Sequence, residues 1–92
     1  MEQIPAAEAW WASLAEVAAA VSNGRPEDIK AVSHGARGEA RSIAASGLAE
    51  LYAELERKAR DGDRAVLSEL LARSAAEMRR IEAFVRERLA KP

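Results

Sequence analysis

Three short breaks decide what this chain can become: Ser22-Asn23-Gly24-Arg25-Pro26, Ser46-Gly47 and Asp61-Gly62-Asp63. Between them the apolar residues recur every three or four positions, the period of an amphipathic helix rather than a strand. The first segment, about Pro5 to Val21, carries Trp10, Leu14, Val17 and Val21, with proline at a first helical position. The second, about Pro26 to Ala45, opens on proline again. Glu27 and Asp28 follow, suited to the positive end of a helix dipole, and the stripe is Ile29, Val32, Ala36, Ala40 and Ile43.

The third segment, about Leu48 to Arg60, shows Leu48, Leu51, Tyr52, Leu55 and Ala59, closing on Lys58 and Arg60 with Gly62 beyond. In the fourth, about Arg64 to Ala90, Leu67, Leu71, Ser74, Met78, Ile81 and Val85 repeat near every 3.5 residues, and Asp63 is placed to cap its start. Four amphipathic helices on two-to-five-residue turns pack as antiparallel neighbours. The expected fold is therefore all-α, an up-down-up-down four-helix bundle, with residues 1–92 as a single domain.

Composition excludes several functions. Ninety-two residues leave no room for an ATP-binding catalytic domain beside a bundle. The absence of cysteine removes disulfides, thiolate zinc sites and thiol nucleophiles, and points to a cytoplasmic setting. Met1-Glu2-Gln3 offers no basic signal region, and no apolar run reaches the ~18 residues of a membrane span. With 14 basic and 15 acidic residues the net charge is −1, so neither nucleic acid nor a membrane is an expected partner. One histidine, with no carboxylate four residues to either side, gives no metal site.

That histidine sits in Ser33-His34-Gly35-Ala36-Arg37-Gly38-Glu39-Ala40, where two glycines stand inside a helix at roughly 1 kcal/mol each relative to alanine. At 100° per residue His34 points roughly 160° from the apolar stripe and so faces solvent. Lys30, Gly38 and Arg41 lie within about 40° of it and Arg37 at roughly 60°. Gly38, one turn on, leaves the helix bare beside the imidazole. Gly35 points roughly 100° away and is read as a small residue with no chemistry, placed where a neighbouring helix could approach. A neutral imidazole among cations suits phosphoryl transfer: it is nucleophilic near pH 7, and Lys and Arg balance phosphoryl oxygens. Trp10 fits the core, which leaves Trp11 at its margin as a candidate partner contact.

In these residues the chain resembles the histidine phosphotransfer domains of bacterial two-component phosphorelays and the related phosphoacceptor domain of chemotaxis kinases. His34 is followed by Arg37, Gly38, Ala40, Ile43, Leu48, Leu51, Leu55 and Glu56 in the family's register, with Ile29 and the turn at Gly24 before it. Ala36, Glu39 and Ala44 depart from the family's usual residues. The resemblance covers essentially the whole chain. It implies that His34 is the phosphoacceptor, Arg37 its basic assistant and Gly38 the opening for phosphate and partner. Lys30 and Arg41 are added by the helical wheel.

The implied function is that of a phosphorelay intermediate, not a self-sufficient catalyst. It would take a phosphoryl group from a receiver-domain aspartyl phosphate or a sensor histidine kinase and pass it to a response regulator. It needs no cofactor of its own, the divalent metal belonging to the receiver domain, and a monomer is expected. The competing reading is a helical adaptor or dimerisation module without phosphotransfer, for which the 3.5-residue period of the last segment is suited.

Overall fold

The computed structural model describes residues 5–43 and 45–90, so the readings of Met1-Glu2-Gln3 and of Ala44 lie outside the described residues. Four helices follow one another: α1 (Pro5–Asn23), α2 (Pro26–Ser42), α3 (Ser46–Lys58) and α4 (Arg64–Ala90). Each packs on its two neighbours, α1 with α2, α2 with α3, α3 with α4 and α4 back on α1, while the diagonals stay apart. The result is a square bundle with an all-α fold, as the periodicity predicts. No helix among the described residues is long and apolar enough to cross a membrane.

Local chemistry sets the ends. Gly24 closes α1 with φ +75°, a conformation that costs glycine little, and its N–H reaches the Ala20 and Val21 carbonyls, each at 3.1 Å. Pro26 then starts α2, with Glu27 and Asp28 in its first turn. Asp63 caps α4 as expected: its Oδ1 accepts from the Ala65 and Val66 N–H groups at 3.0 and 3.3 Å. Arg64 ties this turn to the other at the same end by donating to the Ser22 carbonyl at 2.9 Å.

The α2–α3 connection falls elsewhere than the sequence suggests. α2 stops at Ser42, three residues short of the expected end, and α3 starts at Ser46, so the connection occupies residues 43–45 and Gly47 is helical. Ile43 leaves helical geometry, the Ser42 hydroxyl donates to the Glu39 carbonyl, and the Ala45 N–H returns to Ala40 at 2.9 Å. Ile43-Ala44-Ala45 holds no glycine, proline or asparagine to signal a stop; antiparallel packing of the two helices imposes the reversal. Gly47 lies inside α3 and not in the turn; a Cβ there would lie 2.8 Å from the Glu77 carboxylate on α4, the far end of a flexible side chain that can swing aside.

The core is the union of the four stripes. Val17, Ile29, Leu48, Tyr52, Leu55, Leu67 and Met78 are almost wholly buried, each contributing about 1.5–3 kcal/mol of transfer free energy. Trp10 and Leu14 join them, and Val32, Ile43, Leu51, Leu71, Ile81 and Val85 pack half-buried around the edge. Two serines are also buried. Ser74 donates to the Leu70 carbonyl at 2.8 Å, whereas the Ser33 hydroxyl, next to His34, makes no hydrogen bond.

Candidate functional site

α2 holds His34 on the outer side of the bundle because Ile29, Ser33, Ala36 and Ala40 take the buried side. Its side chain is 63% exposed. The ring leans toward α3, where Glu56 Oε2 lies 3.2 Å from Nδ1. Arg37, one turn along α2, places Nη2 3.0 Å from the same Nδ1 and Nη1 3.4 Å from Glu56 Oε1. That last approach is an ion pair without hydrogen-bond geometry, for Glu56 Oε1 is buried and accepts no hydrogen bond.

One ring nitrogen thus faces both a donor and an acceptor, and it carries a proton or a lone pair, not both. With a proton on Nδ1, the ring donates to Glu56 and the Nε2 lone pair is free. With a lone pair there, Nδ1 accepts from Arg37 and Nε2 bears the proton. Distance favours the guanidinium, at 3.0 Å against 3.2 Å, and burial favours the carboxylate. Glu56 is the more buried partner, at 17% side-chain exposure against 25% for Arg37, so it has less water to replace a lost bond, while the guanidinium has other donors to turn outward. The state Nδ1–H···Glu56 is the one that leaves the Nε2 lone pair open to solvent. No described residue hydrogen-bonds to Nε2.

The other expected residues divide. Gly38 is exposed, and a Cβ built on it meets nothing within 4 Å, which leaves the surface beside His34 open. Gly35 is equally open, so the idea that a neighbouring helix approaches it is wrong: its direction lies on solvent. Arg37 is the cation nearest the ring, and Glu56 fixes it there. Lys30 lines a groove between α2 and α3 with Arg37, Glu56, Arg57 and Arg60. Arg41 lines the adjoining groove toward α4, with Glu50, Arg73 and Glu77. Among the described residues, no hydrogen bond or ion pair joins Lys30 or Arg41 to His34.

Trp11 stands apart from this site. Its indole N–H donates to Glu82 Oε1 on α4 at 3.1 Å, so it closes the α1–α4 seam, the side of the square opposite the α2–α3 seam that holds His34. Below the site, burial, with the Glu39 carboxylate adding to it, pushes the Tyr52 phenol up to about 12. The Tyr52 hydroxyl has no hydrogen-bond partner.

Glu56 is the residue the sequence reading undervalued, since it entered only as part of a register. The signal was in the hairpin: 34 and 56 are equidistant from residue 45, in the α2–α3 connection, so an antiparallel pair brings them level. Comparison with protein-family models, with curated proteins and with solved structures finds no match to this chain.

Proposed function

We propose that this domain is a phosphorelay intermediate that carries a phosphoryl group on Nε2 of His34. The observation that carries the reading is the paired Nδ1: an exposed imidazole whose inner nitrogen meets a carboxylate at 3.2 Å presents its outer nitrogen as a nucleophile. The donor is an aspartyl phosphate of a receiver domain, or a partner histidine kinase, and the acceptor is the aspartate of a response regulator. In the first case the Nε2 lone pair attacks phosphorus in line, the N–P bond forms, and the acyl P–O bond breaks to release the aspartate carboxylate. The ring keeps its Nδ1 proton and becomes cationic, and Glu56 faces the charge that develops. Arg37 holds Glu56 in place and adds positive potential near the phosphoryl oxygens.

This chain supplies nucleophile, orientation and a docking strip along α2 and α3. The receiver's acidic pocket supplies the divalent metal and most of the charge compensation. Open space over Gly38 lets the partner approach the helix backbone. In the test, a phosphorylated receiver, or a small-molecule phosphodonor, labels the wild type with acid-labile phosphate. His34→Gln abolishes the label and leaves the helical content unchanged. Equal labelling of His34→Gln, or no labelling of the wild type by any donor, refutes the relay and favours the adaptor reading.

A further inference from the structure

The polar contacts of the site lie on one side of the imidazole. Arg37 Nη2 and Glu56 Oε2 both meet His34 at Nδ1, and Arg37 Nη1 meets Glu56 Oε1 beside it at 3.4 Å. Nε2 is on the far side of Cε1, and substituents on the two ring nitrogens point apart. A phosphoryl group on Nε2 is therefore out of hydrogen-bond reach of Nη2 as it now stands. Arg37 then either leaves the phosphoryl group alone or changes partner.

Both ends of the present contact favour a change. With Glu56 on the Nδ1 proton, the phosphorylated ring is cationic, so Nδ1 offers Arg37 no lone pair and repels it. At the carboxylate the contact is loose: Oε1 is buried yet accepts no hydrogen bond, so charge holds Arg37 there without a directed bond. The alternative partner carries a charge of about −1.5 to −2 on three acceptor oxygens, which a guanidinium fork meets with two parallel bonds. Lys30 and Arg41 are exposed and well hydrated, whereas the Arg37 side chain is only 25% exposed and already touches the ring.

We propose that Glu56 holds Arg37 in reserve while His34 is unmodified, and that phosphorylation of Nε2 passes Arg37 from Glu56 to the phosphoryl oxygens while Glu56 keeps the Nδ1 proton. This rests on the reading of His34 as the phosphoacceptor. Charge stays paired in both states: Arg37 with Glu56 before, then the imidazolium with Glu56 and Arg37 with the phosphoryl group. A partner that removes the phosphoryl group returns Arg37 to Glu56, so the position of Arg37 reports whether His34 is loaded.

NMR of the intact, nitrogen-labelled chain before and after treatment with phosphoramidate tests it. Nε2 attacks phosphorus, the new N–P bond forms, and the P–N bond of the donor breaks to release ammonia. The Arg37 guanidinium signals should shift on phosphorylation. In a phosphorus NMR titration, Arg37→Ala should raise the proton affinity of the phosphoryl group about tenfold, because an adjacent cation favours the dianion, and Lys30→Ala should change it less than about twofold. Glu56→Gln should speed guanidinium hydrogen exchange at Arg37 several-fold before phosphorylation and leave it as in the wild type afterwards. A chain phosphorylated on Nε2 whose Arg37 signals do not move, or whose phosphoryl titration Arg37→Ala leaves unchanged, overturns the proposal and leaves the relay reading standing. So does a Glu56→Gln chain in which Arg37 exchanges no faster than in the wild type before phosphorylation. If neither phosphoramidate nor a phosphorylated receiver loads His34, the relay reading falls and the proposal falls with it.

Discussion

Removing the Glu56 carboxylate should move the proton of His34. In the proposed state Nδ1–H donates to Glu56 Oε2, 3.2 Å away, while Arg37 Nη2 competes for the same nitrogen at 3.0 Å. A hydrogen bond to a charged group contributes about 1.5–3 kcal/mol when dry, and the 63% exposure of the His34 side chain cuts this to about 1 kcal/mol. Since ~1.4 kcal/mol is tenfold, Glu56→Ala should shift the tautomer ratio about five- to tenfold toward Nε2–H. Glu56→Gln, which keeps a neutral acceptor, should fall between. Arg37→Ala should move the ratio the other way, because the competing donor is gone. Nitrogen chemical shifts of the ring, read by NMR where the imidazole is neutral, report the ratio without any phosphodonor. Phosphotransfer to His34 should slow in Glu56→Ala by up to that factor, since the rate follows the fraction of the Nδ1–H form. A ratio that Glu56→Ala leaves unchanged, or a wild type that is mainly Nε2–H, refutes the reasoning whatever becomes of the relay.

Three further outcomes follow from the geometry. Tyr52 is raised in the fold from 10.0 to about 12, so the fold favours its protonated form. That stability is fully present below pH 10 and is lost as pH rises through about 12; Tyr52→Phe should remove this fall and, by deleting an unpartnered buried hydroxyl, match or exceed wild-type stability at neutral pH in urea melts. Gly38→Ala and Gly35→Ala each add a Cβ to open space in a helix and should stabilise by about 1 kcal/mol, yet only substitution at Gly38, and Gly38→Gln above all, should slow phosphotransfer. Equal rates for both would show that space beside His34 is irrelevant. Asp63→Ala should cost about 1 kcal/mol in thermal or urea unfolding through the lost cap of α4.

Which parts of this could be read from residues alone follows from the range of the forces involved. The stripes and the cap at Asp63 are local, and the fourth helix appears with the bounds its pattern suggests, Arg64 to Ala90. The outward direction of His34 follows from the same angular arithmetic. The α2–α3 turn does not, because α2 stops at Ser42 with no breaker residue after it, while the Ser46-Gly47 pair that suggests a break falls inside α3. The same holds for Glu56, whose role arises only when two helices are set level, and for Arg37, which the wheel places beside an open phosphate position and the fold ties to a carboxylate. Trp11 looked like a contact for another molecule; its indole N–H is taken by Glu82 within the chain.

The square arrangement also orders the folding reaction. Three of its seams join consecutive helices, which meet across short connections, and such local contacts form in microseconds to milliseconds. The fourth seam alone joins the two ends of the chain, with Trp11 and Glu82 separated by 71 positions, and it bears the largest loop-closure entropy. Closure of the ring is then the late event. In a Trp10→Phe background, the fluorescence of Trp11 would time that step while the amide signal of α2 and α3 times the earlier ones.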